Sequence, residues 1–221
     1  MTFSGLNPEW LGLLGVNGSG KTTLLRTLSG RLSPSAGRIL LDGEDVTSSP
    51  EQRTRKVGYS PPLETLPGGV TAGELLTLVG RARGADPRRP AALWAALDLD
   101  RLRDRRIDAM SSGERQRLAL FLAFVGEPRV VLLDELFNWL DPIGSFDAKH
   151  CLAELARNAL IITALHDVAT FATRCSSGLL LHDGAVARDF TSDQLQQSRS
   201  DLQGLERSIY DSLRRERPAA S

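Results

Sequence analysis

Residues 15–23 read GVNGSGKTT, a glycine-rich loop closed by a lysine and two hydroxyl residues. This spacing matches the full phosphate-loop pattern, with Gly15, Gly20, Lys21 and Thr22 in place. Glycines let backbone N–H groups turn inward around phosphate oxygens, and Asn17, Gly18 and Ser19 complete the turn. Lys21 supplies positive charge for the β- and γ-phosphates of a nucleotide. The Thr22 hydroxyl can hold Mg²⁺, and the helix that starts beside Thr22 and Thr23 points its positive end at the anion.

A phosphate loop needs a carboxylate from a neighbouring strand for the metal. The run VVLLDE at residues 130–135 places two acids at the C-terminal end of an apolar strand. Asp134 is the candidate to hold Mg²⁺ through water. Glu135 is placed to orient or deprotonate an attacking water. Taken alone, an acidic pair after a strand can also be a solvated turn. His166 follows a second apolar strand, LIITAL at 160–165, and ligands of parallel sheets sit at the carboxyl ends of strands. It can therefore face the same crevice and hydrogen-bond a γ-phosphate, although a lone histidine at a strand end is commonly a surface residue.

The segment MSSGERQR at 110–117 has two local readings. Ser111 or Ser112 can cap a helix, and Glu114, three residues after Ser111, has capping-box spacing. The same N-terminus, with Gly113 in its first turn, can also present N–H groups to an anion.

These residues need elements to hold them. The apolar run at 10–14 predicts a strand before the glycine loop, and 22–29 predicts a helix after it. Residues 38–41 read as a strand turned by Asp42-Gly43, and 57–59 as a strand ended by Pro61-Pro62. Residues 70–106 read mostly as helix, broken at Gly84 and Pro87 and rich in arginine, as a solvated helical face would be. A helix follows MSSGERQR to about residue 125. Further strands are expected at 130–133, 160–165 and 179–181, with a helix at 152–157 and a turn at Asp183-Gly184. Apolar strands alternating with helices imply a mostly parallel sheet covered on both faces. From about residue 191 the chain turns polar, and Leu202, Leu205, Ile209 and Leu213 predict one amphipathic helix, packing on its own domain or on a partner.

The 221 residues carry 27 basic and 27 acidic side chains, so the formal net charge is zero. A dedicated nucleic-acid binder shows a basic excess, so no nucleic-acid partner is expected. Cys151 and Cys175 lack metal-type spacing and read as the reduced residues of a cytosolic protein. The first ten residues show neither a basic nor an apolar signal region, and the longest apolar run, 118–125, is too short to span a bilayer. Any membrane role is therefore expected through a partner.

In their order along residues 3–189, the motifs resemble the ATP-binding subunit of an ABC transporter. GVNGSGKTT is followed by GRILLDGEDV, by VGYSPP where that family has its glutamine loop, and then by MSSGERQR, VVLLDE, NWLD and LHD. The resemblance implies an α/β fold: a P-loop NTPase core with a mostly parallel sheet and an inserted α-helical subdomain. Residues 1–190 would form the ATP-binding domain, with the helical part at about 62–112 and a helical tail at 191–221. It implies ATP and Mg²⁺ as ligands and ATP hydrolysis as the activity. It also implies a homodimer, or a heterodimer with a related ATP-binding subunit, in which Ser111, Ser112, Gly113 and Glu114 serve the partner's ATP and Asp141 lies at the seam. The implied partner is a membrane-spanning permease, and the implied place is cytoplasmic, against the inner face of the cell membrane. The chain departs from the family pattern at Ser112 (usually glycine), Glu114 (usually glutamine), Pro62 (usually glutamine) and the bulky Trp139. Those departures keep a second reading open: a degenerate nucleotide-binding module with weak hydrolysis and a regulatory or structural role.

Overall fold

The computed structural model describes residues 9–134 and 142–215. Glu135, Trp139 and Asp141 lie outside the described residues.

The chain runs β1 (Glu9–Gly15), α1 (Lys21–Leu28), a two-residue hairpin of β2 (Leu40–Leu41) and β3 (Glu44–Asp45), α2 (Pro50–Lys56) and β4 (Val57–Tyr59). Then come α3 (Ala72–Arg83), α4 (Ala91–Ala96), α5 (Leu99–Leu102), α6 (Ser112–Leu122), β5 (Val130–Asp134) and α7 (Pro142–Leu155). The last elements are β6 (Leu160–Leu165), α8 (Val168–Arg174), β7 (Ser177–His182), β8 (Ala185–Phe190), α9 (Ser192–Ser198) and α10 (Leu202–Arg215). The main sheet has six strands in the order β4-β5-β6-β1-β7-β8. All neighbours pair parallel except β7 and β8, which form an antiparallel hairpin. Both hairpin turns use residues at positive φ: 53° and 80° at Asp42-Gly43, 46° and 77° at Asp183-Gly184. These are the conformations that a two-residue turn matched to strand twist demands.

The central strands are mostly apolar on both sides because both sheet faces are covered. Leu11, Leu13, Leu132, Ile162 and Leu181 join Leu25 of α1 on one face. Trp10, Leu14, Val131, Leu133, Ile161 and Leu180 alternate with them onto the other. The buried Thr163 is satisfied: Trp10 Nε1 donates to Thr163 Oγ1 at 2.9 Å across β1 and β6. The second face carries Leu76, Leu93, Leu97, Leu102 and Ile107 as well. The helical stretch between β4 and α6 thus shares one core with the sheet. An antiparallel bridge, Thr71 to Arg106, closes the base of that stretch.

Gly84, at φ 63°, ends α3 as expected, but the chain breaks again at Asp98, also left-handed at φ 51°. The tail holds two helices where the sequence predicts one. It packs on its own domain, with Leu195, Leu205 and Ile209 buried in the shared core. Both cysteines are free, and burial pushes the Cys175 thiol far up, so it stays protonated. No helix among the described residues is long and apolar enough to cross a membrane.

Candidate functional site: an uncapped helix, a buried lysine and a strand-end carboxylate

Only glycine fits at Gly15, where β1 ends: a Cβ would stand 2.5 Å from Ser19 Oγ and 2.6 Å from the Leu181 carbonyl oxygen. The loop then folds back, with the Ser19 N–H on the Val16 carbonyl at 3.2 Å. Gly20 enters α1 at φ 99°, a conformation that disfavours any residue with a Cβ by about 1–2 kcal/mol. No side chain caps α1. The first ladder bond is Leu24 N–H to Gly20 O at 2.9 Å, so Lys21, Thr22 and Thr23 direct N–H groups outward with no acceptor in the helix. Lys21 is only 4% exposed, and its Nζ donates to Gly15 O at 2.8 Å and Val16 O at 3.2 Å. Ser19 Oγ is buried without a hydrogen-bond partner. Asn17 and Gly18 stand exposed at the loop's crest. A helix dipole, a buried ammonium and an orphaned hydroxyl meeting at one point fit a phosphate chain.

The metal candidates come together beside it. Thr22 Oγ1 donates to Asp134 Oδ1 at 3.1 Å, although 112 residues separate them. Asp134 is aimed by a residue that the sequence reading missed: the Asp134 N–H donates to Ser60 Oγ at 3.2 Å, and the Ser60 N–H to Leu132 O at 3.0 Å. Ser60 is buried at the end of β4, the neighbour of β5. Its signal was position alone, since a strand end before Pro61-Pro62 reads as punctuation. A hydroxyl and a carboxylate side by side are the hard oxygen donors that suit Mg²⁺.

His166 lies at the C-terminal end of β6, between the ends of β1 and β5, and is exposed. Asp167, the next residue, fixes how the chain leaves the site by capping α8. Another contribution was not visible in the sequence: the Gly184 N–H donates to Ser19 O at 3.1 Å, so the β7–β8 turn buttresses the glycine loop. Pro62 opens a short 3₁₀ turn, its carbonyl accepting from Thr65 N–H at 3.0 Å and Thr65 Oγ1 at 2.7 Å.

At α6 both local readings of MSSGERQR stay physically compatible. Ser111 Oγ accepts from Glu114 N–H at 3.2 Å and Glu114 Oε2 from Ser111 N–H at 2.9 Å, a complete capping box. Glu114 therefore folds back along the helix, while Ser111 and Ser112 stay exposed and Gly113 half-exposed.

The family model described as ABC transporter matches residues 2–138. The chain belongs to the ABC transporter family. Relatives extend the match toward the C-terminus. The hemin import ATP-binding protein HmuV of Pseudomonas entomophila is 39% identical over 186 residues, 79% of this chain and 72% of that protein. The lipopolysaccharide export system ATP-binding protein LptB of Acidithiobacillus ferridurans is 32% identical, over 80% of this chain and 77% of its own. Against ABC transporter A family member 5 of Dictyostelium discoideum the identity is 31% over 80% of this chain, which spans only 11% of that protein. Among solved structures, an ATP-binding subunit of an ABC transporter superposes with a TM-score of 0.78 at 30% identity, over 94% of this chain and 88% of that one. The dimeric ATP-binding cassette MJ0796, bound to ADP and Pi, shares the fold with a TM-score of 0.76, 84% of this chain and 86% of that one, at 22% identity. This ABC family member thus has the α/β P-loop fold that the sequence predicts.

Proposed function

We propose that this chain is the ATP-hydrolysing subunit of an ABC transporter. It works as a homodimer or paired with a related ATP-binding chain, on the cytoplasmic face of a membrane-spanning permease. The observation that carries the reading is the Thr22–Asp134 pair beside a buried Lys21 at an uncapped helix end. Gly15, Asn17, Gly18, Ser19, Gly20, Lys21, Thr22 and Thr23 wrap the phosphates of ATP with N–H groups and one ammonium. Thr22, and Asp134 through water, would hold Mg²⁺, which would supply positive charge to the phosphate chain. Glu135 follows Asp134 in sequence and takes the proton of the attacking water, and His166 donates to the γ-phosphate from the end of β6. Asp141, outside the described residues, would serve the seam between chains.

Hydrolysis needs the second chain because Ser111, Ser112, Gly113 and Glu114 serve the partner's nucleotide. The solved dimer of MJ0796 with ADP and Pi supports a paired arrangement. ATP-binding proteins for hemin import and lipopolysaccharide export support a permease partner, and leave the transported molecule open.

A mixing experiment tests the division of labour. Lys21→Ala ruins a chain's own phosphate loop, and Ser111→Arg ruins what it lends. Each variant should be inactive alone. Mixed, they form dimers with one intact site, so ATP hydrolysis should reappear. Ser111→Arg chains that hydrolyse and dimerise like wild type would reduce MSSGERQR to a helix cap. A wild-type chain without Mg²⁺-dependent turnover would instead leave the degenerate module as the reading.

A further inference from the structure

The capping box of α6 carries a charge. Glu114 Oε2 satisfies the Ser111 N–H, but it sets a carboxylate within one turn of the N–H groups that a partner's phosphate would meet. Two anions at such range repel, and salt screens them only partly. The structure gives this carboxylate a second partner. Arg105 Nη1 pairs with Glu114 Oε1, and Arg105 Nη2 donates to Ala109 O at 2.9 Å. One guanidinium therefore joins the carboxylate to the turn Ile107–Ala109 that leads into Ser111. Arg101 adds positive charge nearby, and with Arg117 it lines a hollow shared with Ser111, Gly113 and Glu114. The Glu114 carboxyl is held below the usual carboxylate range, first by the Ser111 N–H and further by the charges of Arg105 and Arg101. The Glu114 side chain is 18% exposed and that of Arg105 40%, so water quenches their attraction only in part.

We infer that Arg105 is a positioning residue for the lent half of the site: by pairing with Glu114 it keeps the α6 N-terminus attractive to the phosphates of a nucleotide held by a second chain. The inference rests on the two-chain reading above. It explains how glutamate serves at a position where the charge would otherwise oppose the ligand. It also gives the arginine-rich stretch before α6 a purpose besides solvation.

The test is an epistasis measurement in the full chain. Arg105→Ala and Arg105→Lys are each made with Glu114 intact and in a Glu114→Gln background. Steady-state ATPase is followed at several salt concentrations, and dimer formation by sedimentation with the β,γ-imido analogue of ATP. With Glu114 present, Arg105→Ala should lower kcat/KM by about tenfold and Arg105→Lys by less, the loss shrinking as salt rises. In the Glu114→Gln background, removal of Arg105 should change either readout by less than about twofold, because no charge remains to cancel. Equal losses in the two backgrounds overturn the inference and leave Arg105 as an anchor for the Ala109 carbonyl. An Arg105→Ala chain with wild-type activity overturns it too. If Arg105→Ala does not fold, the Arg105→Lys pair carries the same comparison. Failure of the two-chain reading looks different: Ser111→Arg would then be as active as wild type whatever stands at 105.

Discussion

Lys21 is almost wholly buried, and its ammonium rests against two carbonyl oxygens of the loop it belongs to. A carbonyl offers a partial charge, whereas β- and γ-phosphates offer full ones, so the lysine gains most when nucleotide arrives. Lys21→Ala should therefore weaken ATP binding by the single chain by about a hundredfold or more, measured by calorimetry. Its folding stability should change much less, since the lost bonds are to carbonyls that water can reach once the side chain is gone. The phosphate loop and Asp134 were legible in the sequence because their chemistry is tied to local spacing and to a strand end. Ser60 and Arg105 were not. Each acts on a residue from another element, 74 positions away for Ser60 and Asp134, and nothing local announces such a pairing. The capping-box spacing of Ser111 and Glu114 was legible too, and the structure closes that box.

At the scale of elements, what could be read was what obeys a period or a turn code. β4 and β6 fall where apolar runs bounded by proline or polar residues put them, and both hairpins turn at Asp-Gly. α2 was invisible because its inward residue is charged. Arg53 is fully buried, held by Val46 O and Thr47 O through Nη1, so PEQRTRK shows no apolar stripe. α9 buries only Leu195. The short helix α8 shows how an element fixes a site residue's exit. Asp167 accepts from Ala169 N–H at 3.0 Å and Thr170 N–H at 2.9 Å, with the Thr170 hydroxyl and the charge of Lys149 beside it. Burial alone would raise its carboxyl, but these donors outweigh it and hold the carboxyl below its ordinary value. A folded value below the unfolded one means that the cap stabilises fully above about pH 4 and that this stability is lost as pH falls through the folded value. Asp167→Ala should cost about 1 kcal/mol at pH 7. Urea unfolding between pH 7 and pH 3 should show the variant and wild type converging as the pH drops.

Across the whole molecule, the sheet's second face, the helical stretch before α6 and the tail share one core. The parallel sheet with its phosphate loop at the strand ends follows from the order of apolar runs and is the part of the architecture that the sequence makes plain. The tail's destination is not, because a polar helix with one leucine stripe fits its own domain and a partner equally well on paper. In the structure Leu205 and Ile209, four residues apart on α10, are buried at 5% and 7% exposure. Arg188 of β8 reaches Ser208 of the same helix, and Arg199 Nε donates to the Ala172 carbonyl of α8 at 3.1 Å. α8 in turn lays Phe171 against the sheet at Gly12 and Gly178, where a Cβ would stand only 2.5 Å and 2.1 Å from its ring. The ring of Phe171 meets that of Phe190 edge-on at 5.3 Å between centroids. A continuous packed path therefore runs from the tail through α8 to β1, the strand that ends in the phosphate loop. Leu205→Ala leaves a cavity at the outer end of that path and should destabilise the isolated chain by about 2–4 kcal/mol in urea unfolding. Tyr210, 53% exposed on the same helix, is the control, and Tyr210→Ala should shift stability by less than about 0.5 kcal/mol. At temperatures well below unfolding, ATP affinity of the Leu205→Ala chain should stay within about twofold of wild type, because the loop's own contacts are intact. A Leu205→Ala chain as stable as wild type on its own would assign the stripe to a partner instead.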